Sequence, residues 1–437
     1  MTDSTLGPGL WGPTVVGGRS LRGWRRGAVT VLAVSSVVLL ALGLGGVLVL
    51  RTAEANLTRV PVGTLETIEP GRPINVVVAG SDARTGLSAE EIRRYKLGNF
   101  SGQRSDTVIL VSVTPEHDGV SVIHFPRDLY VLDGGTPKKL TETFVGGPDA
   151  LVDVINENFG IPIHHYVEVS VTGFISVVDA LGEVEICLEE PLRDEKSGAD
   201  FTAGCHDMNP EEALSFVRSR SGPRGDFERI ERQQQFLKAM LNEMVAARTF
   251  VDLPRLLAVV EKVAANVSTD QDLGLNRMRG LANELRGLAD GNVPMTFVPG
   301  YTQTVGDKSY VVPYRPGATA LFEAIRNGEV IAPRGSRQER EEVRVGLWTA
   351  GQLTGAVVVE STLNWAGFRP VPAGVGPLEG GPTTKVFARS VTDEHAGWVA
   401  ATLGVTVSPL PPDPELPDET EVVVVVGDDA DPNASST

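Results

Sequence analysis

The chain has 437 residues, 41% of them apolar, with 48 glycines and 29 prolines; that composition suits a packed core and more than one domain, and it excludes a chain disordered throughout. Its 39 basic residues against 56 acidic ones give a formal charge of −17, which excludes a general nucleic-acid binder, since such a protein carries a basic stripe. Any anion it holds must meet a local cluster of arginines.

Residues 28–50, "AVTVLAVSSVVLLALGLGGVLVL", carry no charge, and at about 1.5 Å per residue a helix of that length crosses a hydrocarbon layer of about 30 Å. The run reads as a transmembrane helix. A cleaved signal peptide is the competing reading, but the apolar run is longer than the usual h-region and Arg51 follows it. Arg19, Arg22, Arg25 and Arg26 precede the span and Arg51 and Arg59 follow it, so the positive-inside rule leaves residues 1–27 cytoplasmic and everything beyond the span outside a cell membrane crossed once. Residues 51–72 hold Thr, Glu, Gly and Pro without periodicity and read as a stalk.

Val- and Ile-rich strands are predicted at 74–79, 107–113, 120–125 and 183–188, alternating with helical patterns at 148–159, 171–181, 210–218 and 227–247. Such alternation predicts an α/β sheet with helices on its faces. Asn209 followed by Pro210 gives a helix N-cap with proline at the first helical position. Two more helices are predicted at 252–264 and 275–288, a polar linker at 329–342, a smaller α/β unit at 343–427, and a disordered tail at 428–437. Cys187 and Cys205 are the two cysteines; outside the cell they are expected to pair, two buried thiols being the alternative.

Three strand ends carry acid and base together: Asp82 and Arg84 after "VVVAG", Arg104 and Asp106 before "TVILVSV", and Arg127 and Asp128 after "IHFP". A dense basic stretch, "FVRSRSGPRGDFERIERQQQFLKAM", adds Arg218 and Arg220, two apart, and Asp226 where it can cap a helix. On that helix Arg229 and Gln233 share a face four apart, with Arg232 beside them. Taken singly, each arginine is as readily a solvated residue paired with an acid. As a set they supply what a pyrophosphate needs: planar donors for phosphate oxygens and carboxylates for a hard divalent cation. His124, among apolar strand neighbours, reads as a packed histidine; His164 and His165 lack the ligand spacing of a zinc site.

The ordered series "GSDAR", "RSDTVIL", "FPRDLYV", "KKLTETFVGGPDAL", "IPIHHYVEVSVTGFISVVDALGEVEICL" and "ALSFVRSR" to "GDFERIERQQQFL" resembles the LytR-CpsA-Psr phosphotransferases of bacterial cell envelopes. Residues 343–427 resemble the LytR-type C-terminal domain that often follows. The resemblance implies an α-β-α sandwich with a central mixed sheet over residues 73–328, an N-terminal transmembrane helix, and a small C-terminal α/β domain. It implies transfer of a phosphoglycan (arabinogalactan, teichoic-acid-like or capsular) from a polyprenyl-pyrophosphate carrier to peptidoglycan, with release of polyprenyl phosphate and with Mg²⁺ or Mn²⁺ on the pyrophosphate. Asp82 and Asp106 match the metal-binding acids. Arg104, Arg127, Arg218, Arg220, Arg229 and Gln233 match the phosphate-binding set, with Lys139 as a further basic residue. Asp128 is the candidate for orienting Arg127 or accepting a proton. His124 stands where the family usually has serine. A non-catalytic binder of carrier-linked glycans, an envelope regulator and a polyprenyl-pyrophosphate hydrolase are the alternatives.

Overall fold

The computed structural model describes residues 57–84, 86–97, 105–114, 119–222, 226–245, 267–274, 277–278, 280–281, 295–329, 335, 337–349, 353–374, 381–411 and 420–431. Among these residues no helix is long and apolar enough to cross a membrane; the 28–50 run, the helix expected at 252–264 and most of that at 275–288 lie outside them.

Strand runs apolar on both sides call for a sheet covered on both faces, and such runs build the first layer here. Strands β1 (Thr58–Arg59), β2 (Ile74–Ser81), β3 (Ser105–Thr114) and β4 (Gly119–Phe125) precede the hairpin β5 (Tyr130–Asp133) and β6 (Thr136–Lys139). After them come β7 (His165–Ser170), then β8 (Val184–Leu188), β9 (Leu192–Asp194), β10 (Ala199–Phe201) and β11 (Gly204–Met208), then β12 (Val267–Thr269), β13 (Met295–Phe297) and the hairpin β14 (Gly300–Val305) and β15 (Lys308–Pro313). Among the described residues seven of these form one mixed sheet in the order β1-β12-β7-β2-β3-β4-β13. Strand β2 runs parallel to β7 and antiparallel to β3, and β4 runs antiparallel to β3 and parallel to β13. The C-terminal ends of β2, β4, β7 and β13 and the start of β3 therefore meet at one edge.

Helices cover both faces. Helix α1 (Ala89–Arg94) opens on a capping box between Ser88 and Glu91, and α2 (Leu140–Thr143) leads into α3 (Pro148–Phe159), which has proline at its start and Gly160 in the left-handed conformation at its end. Helix α4 (Val171–Leu181) is capped by Ser170 and α5 (Pro210–Arg218) by Asn209; α6 (Asp226–Val245) follows, and α7 (Arg315–Asn327) comes later. One face of the sheet, with Val77, Leu110 and Ile123 fully buried, packs on α3 and α7, where Phe125, Phe159 and Phe322 cluster. The other carries buried Val76, Val113, Val120 and Val122 and half-buried Val78, Ile109, Val111 and Val167, beneath Leu237 of α6 and Leu281. A third cluster joins α4, α5 and α6 to the β8–β11 and β9–β10 pairs.

The C-terminal unit contains α8 (Arg337–Glu342), β16 (Val345–Thr349), α9 (Leu353–Trp365), β17 (Val371–Gly374), β18 (Lys385–Ala388), α10 (Glu394–Leu403), β19 (Val407–Pro409) and β20 (Val422–Val426). Its sheet has the order β17-β16-β20-β18-β19 among the described residues, and "VVVVV" sits at its centre, every residue buried.

Three sequence boundaries need correction. The segment 51–72 is not a free stalk over its described part: β1 pairs with β12, Glu66 N–H donates to Ile163 at 2.8 Å, and Val60, Val62 and Leu65 pack on the core. The linker at 329–342 contains α8 with Arg340 buried. The tail begins later than residue 428, because 428–430 form a 3₁₀ turn that buries Ala430. Each of these depends on a contact distant in sequence, which local composition does not carry.

Candidate functional site

The sheet edge just described is built by the strand ends that carry the charged pairs. Opposite Ser81, the last residue of β2, lies Ser105, while Gly80 lies opposite Thr107. Asp106 is therefore the extra residue of a β-bulge, a device that breaks the side-chain alternation of a strand and concentrates beside active sites. Asp82 follows Ser81 directly, so one acid stands on each of two adjacent strands at this edge. The side chain of Asp106 and the whole of Arg104 lie outside the described residues. Among the described residues no group of three or more His, Cys, Asp or Glu is arranged to hold a metal.

Beyond β4 the chain turns at Pro126, and Asp128 lies between two cations: its Oδ1 is 3.3 Å from Arg127 Nε and 3.1 Å from Lys139 Nζ. The three side chains are 27%, 29% and 21% exposed for Arg127, Asp128 and Lys139, so they face a partly open space in which a substrate can reach them. The backbone around them is fixed. Thr141 donates through N–H and Oγ1 to the Arg127 carbonyl, and Val311 N–H donates to the Asp128 carbonyl at 2.8 Å. Lys139 also stands 5.9 Å from the Tyr310 ring centroid, within cation–π range.

Helix α6 joins this edge through Gln233, whose amide donates to Thr107 Oγ1 at 3.0 Å and to the Val217 carbonyl at 3.3 Å. Val108, next to Thr107, pairs with Phe125, two residues before Arg127. Arg229, four residues before Gln233, is 4% exposed. Asp226 begins the helix, as its sequence position suggests, but its side chain is outside the described residues.

Three of the remaining arginines, Arg218, Arg84 and Arg232, hold main chain. Arg218 donates from Nη1 to the Tyr95 carbonyl at 2.9 Å and from Nη2 to Lys96 at 3.2 Å, and Arg84 Nη2 donates to the Leu97 carbonyl at 2.5 Å. Arg232 grips the loop after α5 through the carbonyls of Ser219 and Ser221. Arg220 N–H donates to Asp194 Oδ2 at 2.8 Å. Sequence reasoning missed Asp194: burial works to raise its pKa, but hydrogen bonds from the N–H groups of Arg220, Lys196 and Ser197 and from the Ser219 hydroxyl outweigh it and leave the pKa lowered. "DEKSG" was its available signal, an aspartate accepting from backbone two and three residues on.

Cys187 and Cys205 are joined, directly opposite one another in the antiparallel β8–β11 pair. Gln235 of α6 donates to the Cys187 carbonyl at 2.8 Å, so the bridged hairpin also steadies the arginine-bearing helix. All three histidines of the sequence reading are buried. Desolvation lowers the His124 pKa to about 3. His164 Nδ1 accepts from Asn75 N–H, and His165 Nδ1 meets Asp270 at 3.2 Å.

A mixed sheet with helices on both faces, its charged strand ends gathered at one edge, defines an α/β protein with its acid–base pairs at the sheet edge. The model of the LytR_cpsA_psr family matches residues 51–327, and the chain belongs to that family. It is 26% identical to the cell wall biosynthesis protein LcpA of Corynebacterium glutamicum, over 93% of this chain and 87% of that protein. It is 29% identical to the polyisoprenyl-teichoic acid–peptidoglycan teichoic acid transferase TagU of Oceanobacillus iheyensis, over 55% of this chain and 71% of that one. The solved LytR-Csp2A-Psr enzyme from Actinomyces oris shares the fold, with a TM-score of 0.50 at 24% identity, covering 62% of this chain and 96% of that chain.

Proposed function

We propose that this protein transfers a phosphoglycan from a polyprenyl-pyrophosphate carrier to a peptidoglycan hydroxyl, forming a phosphodiester and releasing polyprenyl phosphate. The observation that carries the reading is the convergence, at one sheet edge, of the Arg127–Asp128–Lys139 triad with the helix bearing Arg229 and Gln233. Relatives named for cell wall biosynthesis and for teichoic acid transfer to peptidoglycan support the reaction class. The uncharged run at 28–50 supports this reading, since a membrane anchor there, with the folded domains outside the cell, would put such a site where carrier lipid and wall meet.

In this reading the acceptor oxygen bonds to the glycan-side phosphorus while the bridging P–O bond breaks, the carrier leaves as its monophosphate, and the proton of the acceptor hydroxyl passes to that departing phosphate or to solvent. Charge gathers on the bridging and non-bridging oxygens, so catalysis is mostly positioning and electrostatic stabilisation. Arg127 and Lys139 meet the phosphates, Asp128 holds both cations in place, and Arg229 and Gln233 approach from α6. Arg218, Arg84 and Arg232 fix the loops around the site. In this reading Asp82 and Asp106, at adjacent strand ends, would supply hard oxygen donors to a Mg²⁺ or Mn²⁺ ion, which when bound would neutralise pyrophosphate charge. The half-buried row Val78, Ile109, Val111 and Val167 supports an apolar path for the lipid, since the opposite face of the same strands is closed.

The test supplies the protein with a polyprenyl-pyrophosphate-linked short glycan, Mg²⁺ and peptidoglycan, and measures carrier phosphate release and glycan on the acceptor. Wild type gives both, and Arg127→Ala, with fold intact by circular dichroism, gives neither. Release without acceptor product would assign a hydrolase, and tight lipid binding without release would assign a carrier-binding protein.

A further inference from the structure

The C-terminal unit reaches the site from two sides. On the first side, Ile230 of α6 is 4% exposed and belongs to the same core cluster as Val343, Val359 and Trp365. The next residue, Glu231, meets Arg340 Nη2 of α8 at 3.3 Å. Arg340 is in turn fixed by Nε donating to the Ala366 carbonyl at 2.7 Å and Nη1 donating to the Gly335 carbonyl at 2.8 Å. Glu231 is flanked in sequence by Arg229 on one side and by Arg232 and Gln233 on the other, so its anchor sets both the rotation and the axial position of the helix that presents them.

On the second side, Val311 and Val312 of β15 pack against that cluster. The N–H of Val311 is the group that holds the Asp128 carbonyl, and Leu129 bridges to Val311. Between these routes the Phe297 ring of β13 meets Trp365 edge-on with centroids 4.7 Å apart, while Val298 N–H holds the His124 carbonyl at 3.1 Å, three residues before Arg127. Helices α7 and α10 touch so closely that a Cβ on Gly317 would lie 2.3 Å from the Thr402 carbonyl.

An ion pair in this setting, 10% exposed at Arg340 and 18% at Glu231, adds little stability for its desolvation cost and is better explained by the orientation it imposes. We propose that Arg340 and Glu231 are positioning residues for the phosphate-binding edge, and that the C-terminal domain, through them and through β15, is part of the catalytic unit. The proposal rests on the pyrophosphate reading above for what the edge binds.

The experiment uses the full chain as wild type, Arg340→Met, Arg340→Lys, Glu231→Gln and the Met/Gln double variant. Three quantities are read: kcat and KM with the lipid-linked glycan, the Kd of inorganic pyrophosphate with Mg²⁺, and hydrogen exchange of the α6 amides. Each single variant is expected to lower kcat by about 2- to 30-fold and to speed α6 exchange. The double is expected to be no worse than the poorer single, and Arg340→Lys to recover part of the loss. Arg369→Met, which breaks the exposed 2.6 Å pair with Glu341 on the same short helix, should behave as wild type. Folded Arg340→Met with wild-type kcat, Kd and α6 exchange would overturn the proposal, as would losses in the double equal to the product of the singles. Should Arg340→Met not fold, the isosteric Glu231→Gln decides. A wild type that neither binds pyrophosphate nor turns over would end the functional reading alone, because α6 exchange still reports the coupling.

Discussion

Replacing His124 with leucine tests the wall behind the Pro126–Arg127 turn. His124 is 1% exposed and paired with Ile109 and Phe297 on neighbouring strands, and its Nε2 has no hydrogen-bond partner among the described residues. Desolvation alone brings its pKa from 6.5 to about 3, so the folded protein keeps the ring neutral while the unfolded chain protonates it. A pKa depressed on folding contributes stability above the unfolded value that is lost as pH falls toward the folded one. Between pH 7 and pH 5 that loss comes to about 2 kcal/mol, against about 4 kcal/mol if acidification ran all the way to the folded pKa. Leucine, of similar volume and without a titrating group, should not suffer it. Thermal or urea unfolding of both proteins at pH 7, 6 and 5 should therefore show a stability difference that moves in favour of His124→Leu by about 2 kcal/mol across the range. A difference independent of pH would refute the argument, because it would mean that the imidazole reaches water or an acid and that the strand behind the arginine is not closed.

Asp128→Asn removes the charge that holds Arg127 and Lys139. With two partly exposed pairs worth about 1 kcal/mol each, kcat should fall about 10- to 30-fold with KM for the lipid substrate unchanged or lower, as an acid near the phosphates is gone; loss of one limb of the pH–rate profile would instead make Asp128 the proton acceptor. Asp270→Asn should cost about 3 kcal/mol by chemical denaturation. Burial raises the pKa of Asp270, but hydrogen bonds from His165 and the N–H groups of Tyr166 and Asp272 bring it below the ordinary aspartate value. Its stabilisation is thus present above that value and lost as pH falls through the lower folded one; wild type should lose this increment in acid and the asparagine variant should not. Replacing Cys187 and Cys205 with serine should lower stability by about 3 kcal/mol and speed amide exchange at Gln235, and an unchanged melting temperature would show that the bridge is idle.

Most of the elements were legible because their signals are local. Pro148 and Gly160 bracket α3 as a start and a stop, and Asn209 with Glu212 forms the capping box of α5. The acid–base pairs at strand ends were legible too, since strand periodicity shows where an apolar run stops. The use of each arginine was not. Arg218 and Arg84 hold the carbonyls of Tyr95, Lys96 and Leu97, and Arg218 lies more than a hundred residues further along the chain, beyond several strands and helices, with no repeat or motif to announce the pairing. The bulge at Asp106 depends on the register with β2, and the anchoring of α6 by Arg340 depends on packing between two units that sequence alone presents as separated by a polar linker.

The excess of negative charge poses a question that the site answers. A net charge of −17 would repel the pyrophosphate of the proposed substrate at long range, yet beyond about 8 Å exposed charges are largely screened at physiological salt. Five acids, Glu183, Glu185, Glu189, Glu190 and Asp207, are exposed on the β8–β11 pair and its approaches. What a bound anion meets is set by groups within a few ångströms, where Asp128 is balanced by two cations and α6 brings Arg229, buried, alongside Gln233. Carbonyl bonds fix the planes of Arg218 and Arg232, each with five N–H donors. In the proposed reaction, loops pinned in this way before substrate arrives would keep Arg127 and Lys139 in place, so that little reorganisation accompanies the movement of charge to the leaving oxygen, the condition under which electrostatic catalysis is large. The structural cost is a set of arginines, Arg84, Arg218 and Arg232, committed to main chain.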